Sequence, residues 1–226
     1  MSLPTPVVFV VDDDASVRKS LQLLIGSEGW HSATFASAQE FLSSPRASVP
    51  SCLVLDVTLP DINGLDLQKR IAVDRTDMPI IFISGYGDVP TTVRAMKAGA
   101  VEFLTKPLSS DALLRAIRDA IELSKAALRH ETEMHALRDR YASLSGRERQ
   151  VLALVVSGLL NKQVAGDLGI SEITVKAHRG NVMRKMRADS LADLVNMAAR
   201  LGLASAERGR HFTQRSPNIC SPADTT

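Results

Sequence analysis

Five short apolar runs punctuate the first half of the chain: VVFVV at 7–11, WHSATF at 30–35, CLVLD at 52–56, PIIFIS at 79–84 and AVEFL at 100–104. Most are unbroken rather than alternating, the pattern of strands covered on both faces of a parallel sheet. Between them apolar residues recur at helical spacing. Val17, Leu21, Leu24 and Ile25 make one stripe. Leu65, Leu67 and Ile71 make another after the turn PDING, and Val93 and Met96, with Lys97, a third closed by Gly99. Strand and helix repeated five times predict an α/β domain, a doubly wound five-stranded parallel sheet.

From Ser109 to Arg140 the chain holds neither Gly nor Pro and can run as one long helix, capped by Ser110 or Asp111. Within it Leu123, Ala127, His130, Met134, Leu137, Tyr141 and Leu144 alternate at spacings of four and three. That is a heptad seam, which serves either a dimeric coiled coil or packing on the helix's own domain. Four helical segments follow, at 146–157, 161–168, 171–187 and 190–201, separated at SGLL, LGI and RADS. Beyond Leu203 the chain is polar, Pro-containing and without period, which reads as disorder. The expected organisation is therefore a domain over 5–120, a helical linker over 121–141, an all-α domain over 142–205 and a disordered tail over 206–226.

The charge follows this division. Residues 1–110 carry 9 Lys+Arg and 12 Asp+Glu, net −3, whereas 141–203 carry 9 and 5, net +4. An acidic first half joined to a basic module suits a cation-binding part and a polyanion-binding part. No apolar run approaches the roughly 18 residues of a membrane span. The N-terminal MSLPTPVVFVV has no basic region before its apolar run, so it does not read as a signal peptide. Cys52 and Cys220 lie far apart and read as reduced thiols, in keeping with a cytoplasmic protein.

In a doubly wound sheet ligands bind beyond the carboxyl ends of the strands. The first strand here runs into Asp12, Asp13 and Asp14, the third ends in Asp56, the fourth ends in Ser84, and Lys106 follows the fifth. Adjacent carboxylates repel, by roughly 4 kcal/mol at about 4 Å and an effective dielectric near 20. A hard cation such as Mg²⁺ removes that repulsion. Asp12 and Asp13 then serve the cation, while Asp14 is placed to cap the helix that follows. Asp56 can act as a carboxylate nucleophile on phosphorus, with Mg²⁺, the Lys106 ammonium and the Ser84 hydroxyl on the phosphoryl oxygens.

The stretches VVDDD, LVLDVTLPDING and FISGYGDVPTTVRAMKAGAVEFLTKP resemble a response-regulator receiver domain of CheY-like fold over about residues 5–125. The resemblance implies that Asp56 accepts a phosphoryl group from the phosphohistidine of a sensor histidine kinase. It implies Mg²⁺ on Asp12, Asp13, Asp56 and the backbone carbonyl of Thr58, and a cis bond between Lys106 and Pro107. It makes Ser84 and Phe103 the switch pair, and Tyr86 lies by position near the rim. Ser84 departs from the commoner Thr by one methyl group.

In the basic module NKQVAGDLGI supplies a short helix, turned at Gly169, and SEITVKAHRGNVMRKM a longer one capped by Ser171. Ile173, Val175, Val182 and Met186 are placed to face the core. Lys176, Arg179, Arg184, Lys185 and Arg187 are left for the outside, where basic side chains meet phosphates. The stretch from 144 to 186 resembles a LuxR-type helix-turn-helix of the FixJ/NarL family, covering about 140–205. That resemblance implies recognition of promoter DNA by the 171–187 helix. Thr174, Lys176, Ala177, His178 and Arg179 are the contact candidates, joined by Arg184 and Lys185, and the 190–201 helix often pairs two copies. Gly180 stands where relatives carry Lys.

The expected function is that of a two-component response regulator. Phosphorylation at Asp56 favours a homodimer that places two recognition helices on an operator and acts on RNA polymerase. No enzyme activity beyond self-catalysed phosphorylation is expected. One rival, an Mg²⁺-dependent phosphohydrolase of the haloacid-dehalogenase type, wants an Asp two residues after the nucleophile, where Thr58 stands. A second rival is a phosphorylation-gated protein whose helical module binds protein.

Overall fold

A computed structural model describes residues 5–45, 49–74 and 77–203. Two compact units divide between Glu131 and Thr132. The tail expected to be disordered, and Cys220 with it, lies outside the described residues.

In the first unit strands β1 (Val7–Val11), β2 (His31–Phe35), β3 (Ser51–Asp56), β4 (Ile80–Ser84) and β5 (Glu102–Thr105) alternate with helices α1 (Ala15–Ser27), α2 (Ala38–Leu42), α3 (Gly64–Asp74) and α4 (Val89–Lys97). Helix α5 (Ser110–Ala142) follows. All pairings are parallel, in the order β2-β1-β3-β4-β5.

The unbroken apolar runs are explained by burial on both faces. Phe9, Val11, Leu53, Leu55 and Phe82 join a core with Phe41 of α2, Leu67 and Ile71 of α3 and Ala95 of α4. Their neighbours Val8, Val10, Cys52, Val54, Ile81 and Ile83 pack with Leu21 and Ile25 of α1 and Leu113 and Ile117 of α5. Successive strand side chains point to opposite faces, so β1, β3 and β4 feed both cores.

Four expectations change. The α4 stripe does not pack inward: Val93 and Met96 are exposed and Ala95 is buried, because α4 meets the sheet through its small residue. Helix α2, not read as an element, has a legible signal at Ser37 and Glu40. The Ser37 hydroxyl accepts from the Glu40 amide, and the Glu40 carboxylate accepts from the Ala36 amide. The start of α5 is set by Ser109, whose carbonyl accepts from the Leu113 amide, and not by Ser110 or Asp111.

The fourth change concerns the stretch expected as a linker over 121–141. It is helical as expected, the continuation of α5, but its ends also contribute to a core in each unit. Ile121 is buried in the first unit, where the buried Ser124 hydroxyl accepts from the Ser51 amide at 3.0 Å. Leu137 is buried in the second unit, with Met134 and Tyr141 packed against that core. The lower half of the heptad seam is thus consumed within the chain, leaving Leu123 and His130 exposed.

The second unit holds the end of α5 with α6 (Gly146–Val156), α7 (Asn161–Leu168), α8 (Glu172–Met186) and α9 (Leu191–Arg200). One core unites Leu137, Leu144, Leu152, Val182, Met186 and Leu194. A second unites Val151, Val155, Val164, Ala165 and Val175. Gly169 turns the chain between α7 and α8 at φ 65°, the left-handed region that a glycine enters without a Cβ clash.

Candidate functional site

Register brings the acidic residues together. Val11 pairs with Leu55, so the next residue of each strand, Asp12 and Asp56, emerges at the same rim. The sheet also reverses its winding between β1 and β3, where such folds bind ligands. Asp12 is fully buried, Asp56 is 5% exposed and Asp13 is exposed. One carboxylate oxygen from each of the three lies within 4.8 Å of the others.

Lys106 reaches this pair from the end of β5. Its Nζ stands 2.8 Å from Asp12 Oδ2 and 2.6 Å from Asp56 Oδ2. Partial burial works against the ammonium, but hydrogen bonds to Asp12 and Asp56 outweigh it and raise its pKa above the ordinary lysine value. The other oxygen of each carboxylate is held by backbone. Asp12 Oδ1 accepts from the Asp14 amide and Asp56 Oδ1 from the Thr58 amide, both at 2.9 Å. The Lys106–Pro107 bond is cis, as the resemblance implied.

Asp14 separates from the cluster as its position suggested. Its carboxylate accepts from the Ser16 and Val17 amides and caps α1. The Ser16 hydroxyl and amide hold its pKa below the usual carboxylate value.

The switch candidates stand apart from the carboxylates' own bonds. The buried Ser84 hydroxyl donates to the Tyr86 carbonyl at 2.8 Å and accepts from the Tyr86 amide at 3.1 Å. The Tyr86 ring itself is in solvent, the residue being 89% exposed. Phe103 is half-buried, its ring centroid 6.1 Å from that of Phe82.

Two contributors were missed. Arg18 Nη1 donates to the Asp12 carbonyl at 2.6 Å, fixing the end of β1 from the first turns of α1. Gly64, at the start of α3, leaves no room for a side chain, since a Cβ there would lie 2.5 Å from the Asp56 carbonyl oxygen. The turn PDING signalled a bend but not that approach.

In the helical unit Ser171 caps α8, its hydroxyl accepting from the Thr174 amide. Val175, Val182 and Met186 are buried as expected. Ile173 is not: it is 80% exposed, because its place in the first turn of α8 points away from the other three. Thr174, Lys176, Ala177 and Arg184 are exposed, while His178 and Arg179 are half-buried. Arg179 donates to the Asn161 side chain at 3.2 Å, which ties α8 to the start of α7.

Lys185 does not belong with the free cations. Its Nζ lies 2.6 Å from Glu148 Oε2 and 3.3 Å from the Ser143 carbonyl. The Lys185 hydrogen bond, then the Ser145 amide, hold the Glu148 carboxyl down to about 2. Glu148 also closes a capping box with Ser145 at the start of α6. The S-x-x-E spacing of Ser145 and Glu148 was the signal that could have revealed it.

A doubly wound sheet with this acidic rim, joined to a helix-turn-helix unit, defines a receiver coupled to a DNA-binding module. Comparison with known families agrees. Residues 8–118 match the response regulator receiver domain, and residues 142–198 match the luxR family of bacterial regulatory proteins. Nodulation protein W of Bradyrhizobium diazoefficiens is 50% identical over 199 residues, 88% of each chain. Response regulator protein TodT of Pseudomonas putida is 46% identical over 201 residues, 89% of this chain and 88% of that one. Among solved structures, response regulator StyR aligns with a TM-score of 0.77 and 46% identity, over 87% of this chain and 99% of that one. Full-length FixJ from B. japonicum aligns at 0.51 and 40%, over 89% and 99%. The chain belongs to the two-component response regulators that join a receiver domain to a luxR-family helix-turn-helix, and it is a transcription regulator of that family.

Proposed function

We propose that Asp56 accepts a phosphoryl group from the phosphohistidine of a sensor histidine kinase, and that the phosphorylated chain dimerises on promoter DNA through α8. The observation that carries this reading is the Lys106 ammonium bridging the buried Asp12 and Asp56 carboxylates. A nucleophile must keep a free lone pair. Asp56 does: each oxygen accepts one bond, from Lys106 or from the Thr58 amide, and each retains further acceptor capacity.

In the transfer an Asp56 oxygen attacks phosphorus in line, the P–N bond breaks, and the imidazole nitrogen keeps the electron pair. Lys106 stands where it can follow the nucleophile's charge onto a phosphoryl oxygen. The Ser84 hydroxyl can exchange the Tyr86 carbonyl for another phosphoryl oxygen, trading one hydrogen bond for one of greater charge. Its withdrawal from that loop would let half-buried Phe103 turn inward, a two-state element biased by phosphorylation.

The donor set fits Mg²⁺, being hard carboxylate oxygens converging at a rim. Asp12, Asp13 and Asp56, with the Thr58 carbonyl, would hold it, and when bound it supplies positive charge to the phosphoryl oxygens. On this reading the chain's chemistry ends at its own Asp56, without turnover of an external substrate. Thr58, exposed and uncharged, offers no acid for a phosphohydrolase. Among the described residues no helix is long and apolar enough to cross a membrane, consistent with action in the cytoplasm on DNA and RNA polymerase.

The test is incubation with acetyl phosphate and Mg²⁺. The intact protein gains one hydroxylamine-labile phosphoryl group and Asp56→Asn gains none. Equal labelling of the two would overturn the assignment.

A further inference from the structure

We propose that Ile173 reads a thymine methyl group in the operator, an inference that rests on the DNA-binding reading of α8. At 3.6 residues per turn Ile173 stands roughly opposite the buried line of Val175, Val182 and Met186. The outward face it heads continues through Lys176, Ala177, Gly180 and Arg184, all exposed. In helix-turn-helix docking it is the N-terminal part of this face that meets base edges.

The chemistry of that part is unusual for a DNA-facing surface. Ile173 is 80% exposed, a branched apolar side chain at its leading end. The nearby hydroxyls are already engaged, the Ser171 and Thr174 oxygens lying 2.8 Å apart. Arg179 is drawn toward Asn161 and Lys185 toward Glu148. Lys176 stands exposed beside Ile173, a cation suited to guanine O6 and N7. Ala177, one turn on from Ile173, adds a second methyl.

Gly180 completes the arrangement. A Cβ built there meets nothing within 4 Å, so the face is open and no side chain holds the helix off the groove floor. The only apolar feature of a base pair in the major groove is the thymine C5-methyl. Ile173 and Ala177 therefore match thymine, and Lys176 between them matches guanine.

Sites selected from random DNA by the phosphorylated full-length protein provide the probe. Each thymine in one half-site is replaced in turn by deoxyuridine, which removes the methyl alone, and binding is followed by fluorescence anisotropy. At one thymine the intact protein should lose about fourfold in affinity, the worth of one buried methyl. Ile173→Ser should bind both duplexes alike, Ile173→Val should keep the discrimination, and the salt slope should not change, since phosphate contacts are untouched. Equal losses in the intact protein and Ile173→Ser, or no loss at any thymine, would overturn the proposal while leaving the DNA-binding reading intact. A failure of that reading looks different: no duplex is enriched or bound by the intact protein, and the Ile173 role falls with it.

Discussion

Lys185 of α8 and Glu148 of α6 form an ion pair at 2.6 Å, with Glu148 buried beneath it. The pair clamps the end of α8 to the start of α6. It gives Lys185, which looks from the sequence like a phosphate ligand, a carboxylate partner within the fold.

A pH dependence follows with a definite sign. The Glu148 carboxyl is lowered from its ordinary 4.5 to about 2 in the folded state. Its contribution is therefore fully present above about pH 4.5 and lost as the pH falls through about 2. Glu148→Gln should be less stable than the intact protein at pH 7, by about 1–3 kcal/mol. The difference should shrink between pH 4.5 and 2 in urea titrations followed by circular dichroism.

Lys106→Ala should separate two roles of one ammonium. Without it Asp12 and Asp56 repel, so the apo protein loses stability and binds Mg²⁺ more tightly in calorimetric titration. Phosphorylation by acetyl phosphate should nevertheless slow, on the order of 100-fold, because a donor to the transferred group is gone.

Asp14→Ala removes the α1 cap and none of the proposed cation ligands. The melting temperature should fall by a few degrees, with Mg²⁺ affinity and phosphorylation rate close to those of the intact protein. Loss of Mg²⁺ binding would return Asp14 to the metal site.

Gly64→Ala should act on the site through backbone. The added methyl meets the Asp56 carbonyl oxygen and must displace either α3 or the end of β3. Expected are a destabilisation of about 1–3 kcal/mol and slower phosphorylation, read from urea titration and a labelling time course.

Cys52 lies wholly inside the sheet, and burial pushes its thiol up to about 12. In a Cys220→Ser background it should not react with a thiol-directed disulfide reagent at pH 8 until denaturant is added.

What the sequence determined by itself is the set of residues whose signal is local. Unbroken apolar runs named the strands, because a strand buried on both faces has no polar side to show. Asp12, Asp56 and Lys106 were legible because a parallel sheet delivers every strand end to one rim, so order along the chain implies proximity. Asp14 and Ser171 were legible because a cap bonds to amides two or three residues away.

Tertiary structure decided what depends on which face finds a partner. Val93 and Met96 have helical spacing, yet Ala95 is the residue that meets the sheet. Met134, Leu137 and Tyr141 spell a heptad seam, but their partners lie in α6, α8 and α9, far along the chain. Ile173 looks like core by composition and stands in solvent, while Lys185 looks like surface and reaches a carboxylate 37 residues earlier. The physical reason is the same in each case. Periodicity tells which residues share a face, but burial and pairing are contracts between distant segments, settled only when the chain has closed.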